Sequence, residues 1–416
     1  MLVERHYTRG SPEIIELCSL SKELYNRCNY LMRQIWFTNL KNYAKDQNCK
    51  WIKLPDINDL NDNTRELDCY KKFNHTKIAK QVIRKVLTDW STFRKSLTAY
   101  KRNPSSFIKK PKSPNYKKKL SQVIFYNETI RKKPLKLDKI EPTNGFFSIN
   151  SKIKDFKQVI ITPKTFGFII DVQYEQADLK PEEKVKFHKD SFCSIDVGVN
   201  NLCSITSDQH LPLLINGRIL KSINQWFNKN KSKKSSRKRY FRIENYFHHV
   251  SKMIIENCKS FGIKTIIIGK NDYWKQDTKG KMRKKNSQNF QSIPFCKLFE
   301  KIIYKAKRYG IEVVFTEEAY TSKSSFLDRD LLPSYDDPNA STIKFSGTRI
   351  KRGLYRSKDG RILNSDVNGS ANICRKVIQD TNVLSQLDRS LAARPKLVNP
   401  LKDTTQQVIN SIRLTT

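Results

Sequence analysis

Four carboxylates stand at positions where metal-dependent chemistry could be built. Asp196 ends a short apolar strand, and Asp366 precedes a helix. The pair Glu317 and Glu318 follows another strand. Hydrolysis of a phosphodiester with two metal ions needs several carboxylates that converge, with the ions roughly 3.5–4 Å apart. Each residue also has a structural explanation, because an aspartate commonly starts a turn or caps a helix. Together at one edge of a sheet they favour a nuclease site that binds Mg²⁺ or Mn²⁺.

The elements that must position these carboxylates follow the order of the ribonuclease H fold. Three strands close enough for an antiparallel meander come first, and a basic helical region, a strand, a helix and a fifth strand follow. Asp196 lies at a fixed height on one face of the first strand, since side chains alternate along a strand. The predicted elements are strands 192–196, 202–206 and 213–216, helical region 224–261, strand 264–268, a helix around 295–306, strand 311–316 and a closing helix 368–378.

A helical and β-rich region precedes these elements. Apolar residues at helical spacing predict two long amphipathic helices, around 17–35 and 78–93. The basic faces of these helices suit a helical lobe that lies against a nucleic-acid duplex. Packing of the helices on the protein's own core is an equally good interpretation. The polar region 45–63 is predicted to be a loop. A compact antiparallel barrel or sandwich is predicted from β-type runs at 2–7, 123–126, 146–149, 159–162 and 166–174.

The chain is strongly basic. Lys and Arg number 80 against 40 Asp and Glu, which gives a formal net charge of +40 over 416 residues. Charge of one sign destabilises a compact protein without counter-charges, so the excess predicts a polyanionic partner, namely nucleic acid. No apolar run approaches the ~18 residues of a membrane span. Nine scattered cysteines without a C-x-x-C pair indicate reduced, mostly buried thiols of an intracellular protein.

Residues 100–119 concentrate positive charge in a stretch that proline breaks. Phe107 and Tyr116 are interspersed among the lysines. Lysines suit phosphate, and an exposed aromatic ring can stack on a base. A solvated linker is the alternative, but charge in a proline-fixed stretch rather than on a helix face favours contact with nucleic acid. The charged residues 181–189 mark a boundary before the next domain.

Four ordered motifs resemble the RuvC motifs of TnpB proteins, the RNA-guided nucleases of bacterial transposons, and of their eukaryotic and viral relatives, Fanzor. In chain order the motifs are IDVGVNNL, IIIGKNDYWKQ, TEEAYTSK and SDVNGSANI. The resemblance extends over about the whole chain and implies ancestry shared with type V CRISPR effectors. It implies an α/β multidomain fold, in which an RNase H-like (RuvC) nuclease domain joins an N-terminal wedge β-barrel with an inserted helical recognition lobe.

The resemblance also implies domain bounds and partners. The partners are a guide RNA from the transposon end and double-stranded target DNA, with no membrane, and a monomer is one option for the oligomeric state. The compartment would be the bacterial cytoplasm for a TnpB and the nucleus for a Fanzor. The implied domains are a wedge barrel (1–12 and 120–185), a recognition lobe (13–119), a RuvC domain (186–320 and 364–380), a degenerate zinc-ribbon-like insert (321–363) and a C-terminal tail (381–416).

The chain departs from the family in two places. Most members carry the middle catalytic glutamate after the fourth strand, where this chain has Gly269. A subset of TnpBs and the Fanzors use a glutamate just before the TSK motif, which implies Glu318, with Glu317 as the less favoured choice. Neighbouring strands lie ~4.8 Å apart, so Gly269 would leave room for the longer Glu318 side chain. The family's zinc ribbon needs two C-x-x-C pairs, but residues 321–364 contain no cysteine, so no zinc is expected.

These features predict an RNA-guided DNA endonuclease of TnpB/Fanzor type. Asp196, Glu318 and Asp366 are the implied catalytic residues and ligands of two Mg²⁺ ions. A nuclease-dead RNA-guided regulator is the main alternative, and a plain nucleic-acid-binding protein with relic motifs is the third. All three acidic positions are occupied in the sequence, which favours the nuclease.

Overall fold

The computed structural model describes residues 2–107, 109–143, 145–175, 185–270, 284–335, 337–340, 342–378 and 394–413, together with 384, 385, 387 and 391. The chain divides into two compact units, 1–177 and 178–416. Part of the predicted boundary, 181–184, and the second half of the second motif, 271–276, lie outside the described residues.

The first unit is built on two long helices. Helix α1 begins after Ser11, whose hydroxyl accepts a hydrogen bond from the backbone of Ile14. It packs against α4 through aromatic residues that include Trp36 and Trp90, whose ring centroids lie 5.8 Å apart. The helices of this unit are α1 (Pro12–Lys45), α2 (Ile57–Thr64), α3 (Asp68–Lys71), α4 (Thr76–Arg102) and α5 (Lys132–Lys136).

The prediction of a loop over 45–63 is wrong for its last part. Helix α2 begins after Asp56, whose carboxylate accepts from the backbone of Asp59, while the Asp59 carboxylate accepts from the backbone of Asp56. This reciprocal capping box satisfies N–H groups that would otherwise lack partners. Its Asp-x-x-Asp spacing is readable in the sequence.

The strands of the first unit form an open antiparallel sheet in the order β1-β6-β5-β2. The predicted strand at 2–7 does join it, since β1 pairs with β6. No closed barrel is present among the described residues, because β1 and β2 remain the two edges. The predicted run 146–149 forms only the two-residue β4, which pairs with β3. The strands are β1 (Leu2–Thr8), β2 (Val123–Tyr126), β3 (Lys139–Ile140), β4 (Ile149–Asn150), β5 (Gln158–Lys164) and β6 (Gly167–Tyr174).

The second unit contains a six-stranded sheet in the order β11-β10-β7-β8-β9-β15. Its first three strands form an antiparallel meander, and β10 and β11 add in parallel beside β7. The first five strands therefore have the order and directions of a ribonuclease H-like sheet, as the sequence predicts. The strands of this unit are β7 (Phe192–Val197), β8 (Asn201–Ser207), β9 (Leu213–Asn216), β10 (Thr265–Gly269), β11 (Glu312–Thr316), β12 (Thr348–Lys351), β13 (Leu354–Arg356), β14 (Ile362–Asn364) and β15 (Lys396–Val398).

Helices cover both faces of this sheet. Cys193 and Ile195 point into a core shared with α7 and α9, and Phe192 points into a second core shared with α10. Alternation along β7 therefore sends Asp196 to the α10 face. The helices are α6 (Arg218–Lys229), α7 (Lys233–Ser260), α8 (Lys284–Gln291), α9 (Phe295–Arg308), α10 (Ser365–Arg375) and α11 (Thr405–Ile412).

Three boundaries differ from the sequence prediction. The basic helical region 224–261 is two helices, because a capping box between Ser232 and Ser235 starts α7. The closing helix begins at Ser365, earlier than predicted. The predicted C-terminal tail is wrong for 396–412: β15 pairs in parallel with β9, and Val408 of α11 is buried in the core that contains α7.

The insert between β11 and α10 is held by carboxylates. Asp330 accepts hydrogen bonds from the backbone of Ser325 at 2.8 Å and from the backbone and hydroxyl of Ser346 at 3.0 and 2.6 Å. Asp328 accepts from the Ser346 hydroxyl and from the backbone of Lys358. These bonds join the start of the insert to its three-stranded sheet, β12-β13-β14.

Helices able to cross a membrane are absent from the part of the chain that the structure describes. The nine cysteines are all unpaired thiols, and seven of them are buried.

Candidate active site

Asp196 lies near the end of the central strand of the nuclease-like sheet. On one side it is paired in register with Ser204 of β8, and on the other side the preceding Ile195 pairs with Ile268 of β10. Strands on both sides fix the backbone, so the carboxylate has a defined position on the α10 face.

Helix α10 packs directly onto this carboxylate. A Cβ atom built on Gly369 would lie 2.7 Å from Oδ2 of Asp196, so only glycine permits this approach. The Ser194 hydroxyl donates to the backbone carbonyl of Ser370 at 2.6 Å, and it lies 2.7 Å from the Thr206 hydroxyl. Hydrogen bonds between strand and helix thus hold α10 over the end of β7.

Asp366 lies in the first turn of α10. The sequence leaves it as a possible helix cap, but the cap is Asn364, whose side chain accepts from the backbones of Asp366 and Val367. The side-chain amide of Asn201 donates to Oδ2 of Asp366 at 2.7 Å. The guanidinium of Arg349 lies 3.8 Å from Oδ1 and donates to the Ser365 hydroxyl at 2.9 Å.

Asp366 is close enough to Asp196 to affect the ionisation of the Asp196 carboxyl. Loss of hydration raises the pKa of the Asp196 carboxyl, the negative charge of Asp366 raises it further, and the value reaches about 7. A backbone hydrogen bond from Val197 and the charge of Arg349 act in the opposite direction. A bound cation stabilises the charged forms of two carboxylates that repel each other.

The Glu318 side chain occupies the space beside Gly269, as the sequence predicts. A Cβ on Gly269 would lie 2.7 Å from Cγ and 2.8 Å from Oε1 of Glu318, and 2.5 Å from the side chain of Ile373. Gly269 directly follows Ile268, the β10 partner of Ile195, so it stands beside Asp196 across the ladder. Gly369 and Ile373, one turn apart on α10, thus face Asp196 and Gly269 respectively.

Glu317 has a different environment. Its carboxylate accepts from the Lys376 ammonium at 2.6 Å and from the backbone of Tyr335 at 3.2 Å. The Lys376 side chain is 7% exposed, so this ion pair ties the end of β11 to the end of α10. The two adjacent glutamates therefore contact different parts of the protein.

The donor set suits a hard divalent ion. Carboxylate oxygens are the ligands that Mg²⁺ and Mn²⁺ prefer. The pKa of Asp196 is raised first by burial and second by the negative charge of Asp366. Within the described residues, however, no three His, Cys, Asp or Glu side chains are grouped closely enough to hold a metal. The structure thus brings Asp366 near Asp196 and puts Glu318, which follows β11, beside Gly269 of the intervening strand β10. The three carboxylates do not form a ready-made metal cluster.

Sequence reasoning missed Asn201, Gly369 and the role of Arg349 beside Asp366. Asn201 and Gly369 stand inside two of the four motifs, so their motif positions are a usable signal. Arg349 lies on β12, and no spacing or period in the sequence links it to Asp366.

Part of this site lies in a segment that matches a known family. Residues 295–373, from α9 to α10, match the family model described as "Cas12f1-like, TNB domain". These residues resemble that domain. The similarity agrees with the predicted resemblance to TnpB-type RNA-guided nucleases. The matched segment contains Glu318 and Asp366, and Asp196 lies outside it.

Two solved structures resemble this chain. "Cryo-EM structure of the Cas12f1-sgRNA-target DNA complex" is 13% identical, with 87% of this chain and 83% of that chain covered and a TM-score of 0.45. "Cryo-EM structure of CRISPR-Cas12f Ternary Complex" is 14% identical, with 89% and 82% covered and a TM-score of 0.34. No curated protein matches the chain.

Proposed function

We propose that this protein is an RNA-guided DNA endonuclease of TnpB/Fanzor type, with Asp196, Glu318 and Asp366 as its catalytic carboxylates. The observation that carries the proposal is that α10, which contains Asp366, packs on Asp196 through Gly369 at the end of the central strand of a sheet with ribonuclease H-like order. The Cas12f1-like TNB domain, which contains two of the three residues, supports it.

The chain's own residues have distinct tasks in this proposal. Two Mg²⁺ ions, when bound, would activate the attacking water and stabilise the leaving 3′ oxygen. Asn201 donates to Oδ2 of Asp366 at 2.7 Å and so orients this carboxylate. Arg349 adds a positive charge on the same side, where it can also meet a phosphate. Gly269 and Gly369 leave the space that Glu318 and Asp196 need.

The net charge of +40 supports a large nucleic-acid partner. In the proposed activity, sequence is read by pairing of guide RNA with the target strand, and the protein reads a short motif beside the target. We therefore expect a structured RNA to co-purify with the chain.

Cleavage by carboxylate variants tests the proposal. The RNA that co-purifies is sequenced, and DNA matching its guide segment is offered with Mg²⁺. We expect Asp196→Ala, Glu318→Gln and Asp366→Asn each to slow cleavage by about 100-fold or more, while RNA and target binding persist.

Glu317→Gln is the matched control, because it changes the neighbouring glutamate in the same isosteric way. It removes the ion pair with Lys376, so stability falls slightly while cleavage continues. Loss of cutting in Glu317→Gln but not in Glu318→Gln would move the assignment by one residue. Guide and target binding without cutting by the unmodified protein would instead indicate the nuclease-dead regulator.

A further inference from the structure

A proline-rich basic segment is fixed against the first helix of the N-terminal unit. We name residues 109–119 the basic strap; it contains six lysines and no acidic residue. Asn26 of α1 donates to the carbonyl of Lys117 at 3.0 Å and accepts from its N–H at 2.7 Å. Arg33 donates to the Pro114 carbonyl at 2.7 Å and to the Ser113 hydroxyl at 3.1 Å.

A second asparagine of α1 strengthens this attachment. Asn29 donates to the Pro114 carbonyl at 3.2 Å and accepts from the indole N–H of Trp90 at 2.8 Å. Asparagine is a poor helix former, and a buried side-chain amide is stabilising only when hydrogen bonded. Two such residues in the middle of α1, both bonded to the strap, hold it in one conformation, unlike a solvated linker.

The basic strap presents the aromatic ring of Tyr116, which contacts Arg33 and remains partly exposed to solvent. The Arg33 guanidinium lies 5.4 Å from the Tyr116 ring centroid and 5.0 Å from that of Phe37. Tyr116 nevertheless remains 44% exposed. A ring that is already immobilised loses little conformational entropy when a flat ligand stacks on it.

Tyr116 faces a cavity with a second exposed ring. The cavity has a volume of about 420 Å³ and is lined by both Tyr116 and Tyr30, which is 50% exposed. Lys22 and Arg27 also line it, and Glu23 is the one acidic residue among the lining side chains. Two aromatic rings beside two cations match the combination by which proteins bind single-stranded nucleic acid, stacking for the base and charge for the phosphate.

We propose that Tyr116 and Tyr30 form a stacking site for one unpaired base of a bound nucleic acid, with Lys22 and Arg27 contacting its phosphates. This inference rests on the proposed function only in taking nucleic acid as the partner. A duplex does not fit the role, because its bases are already stacked on one another and cannot enter a side cavity without being flipped out. The site therefore selects an unpaired nucleotide.

Stacking on a fluorescent base tests the proposal. The full chain, freed of co-purified RNA at high salt, is titrated into a short single-stranded RNA with one 2-aminopurine, whose emission falls on stacking. We expect quenching in the unmodified protein, and a loss of affinity of about tenfold in Tyr116→Ala and in Tyr30→Ala. Tyr116→Phe and Tyr30→Phe keep a stacking ring and should bind as the unmodified protein does.

Matched controls separate stacking from charge and from damage to the fold. Tyr43→Ala removes an equally exposed tyrosine, 44%, from the far end of α1 and should not change the affinity. Tyrosine variants should keep the salt dependence of binding, whereas Lys22→Gln and Arg27→Gln should each make the slope of log K against log salt shallower by about 0.7. Unchanged thermal midpoints show that the alanine variants fold.

A second measurement uses the ribonucleoprotein as isolated. Ultraviolet irradiation should crosslink a nucleotide to the peptide that contains Tyr116 or Tyr30, and mass spectrometry identifies it. Unchanged affinity in both alanine variants, or an effect confined to duplex probes, would overturn the proposal. Absence of cleavage activity would count against the nuclease and leave this result intact, so the two failures are distinguishable.

Discussion

Glycine contacts a carboxylate at two points of the candidate site, and each contact is closer than a methyl group allows. Gly369 approaches Asp196, and Gly269 approaches Glu318. Neither residue has a positive φ angle, so the reason for glycine is space rather than backbone conformation. The absence of a side chain at Gly269 and Gly369 therefore helps to position the two carboxylates.

We expect Gly369→Ala to lower stability even though alanine is the better helix former. Helix propensity alone would favour alanine by about 1 kcal/mol. Overpacking against Oδ2 of Asp196 opposes this gain with roughly 1–3 kcal/mol, so the net change is destabilising, and displacement of Asp196 slows cleavage. Chemical denaturation of the purified protein measures the change.

A double-mutant cycle identifies the cause of that change. In the background of Asp196→Ala the carboxylate is absent, so Gly369→Ala should become neutral or stabilising. An equal loss of stability in both backgrounds would show that the methyl group conflicts with something other than Asp196.

The sequence was sufficient to place Asp196 on a strand, Asp366 at the start of a helix and open space at Gly269, because strand alternation and motif order are local properties. The catalytic role of the carboxylates stays a prediction. The sequence was insufficient for Asn201 and Arg349, whose importance depends on reaching Asp366 across 165 residues and from a separate small sheet. Tertiary hydrogen bonds of this kind leave no period or spacing in the chain.

At the scale of elements, the insert is organised by two carboxylates that accept N–H and O–H groups from several loops. Burial alone would raise the pKa of Asp328, but hydrogen bonds from Ser325, Lys358 and Ser346 together lower it. The Asp328 carboxylate is therefore ionised at neutral pH, and the hydrogen bonds that it accepts are charge-assisted. The expectation that the insert binds no zinc remains a prediction.

We expect Asp330→Asn to loosen the insert. An amide cannot accept from Ser325 and Ser346 with both of its polar atoms, so about 2 kcal/mol of local stability is lost. Limited proteolysis within 321–364 should become faster, and hydrogen exchange there should increase.

Asp337→Asn is the control, because the Asp337 carboxylate accepts a local hydrogen bond from the backbone of Asn339, two residues away. It should leave proteolysis unchanged. Metal analysis of the unmodified protein should find no stoichiometric zinc, and one zinc per chain would contradict the account of the insert given above.

Helix and strand positions were predictable where a strong apolar period was present, as in α1, α4 and β7. Prediction failed where pairing partners are distant. The three residues of β15 become a strand only because β9 offers an unpaired edge, and nothing in Lys396–Val398 by itself indicates a sheet. The prediction of a closed barrel is wrong for a different reason. The strands can be identified in the sequence, but the way in which they pair cannot.

At the scale of the whole molecule, stability should depend on a buried histidine. His210 is fully buried, its Nδ1 lies 2.7 Å from the Leu211 carbonyl, and Nε2 lies 3.4 Å from the Asn257 amide. Burial lowers the pKa of His210 to about 4, although the bond to Leu211 opposes this. The contribution of neutral His210 is complete above about pH 6.5 and is lost as pH falls toward 4, by roughly 3 kcal/mol.

Titration of Asp196 changes the stability in the opposite direction over the same pH range. Its raised pKa makes the folded state less stable as pH rises from about 4 to about 7. The two effects are separated by comparing variants in chelator-containing buffer: His210→Gln should remove the loss on acidification, and Asp196→Asn should remove the loss on raising pH. Denaturation midpoints between pH 4 and 7.5 measure both, and parallel curves for all three proteins would contradict the two assignments.

The distance along the chain between β7 and α10 also sets when the site can exist. A ribosome adds about 5–20 residues per second, so the 165 residues from Asn201 to Asp366 take roughly 10–30 s to synthesise. During that interval β7 has been synthesised, but α10 has not. Helix α10 is the element that buries Phe192 and packs on Asp196. The nascent chain therefore lacks a complete candidate site until α10 has been synthesised.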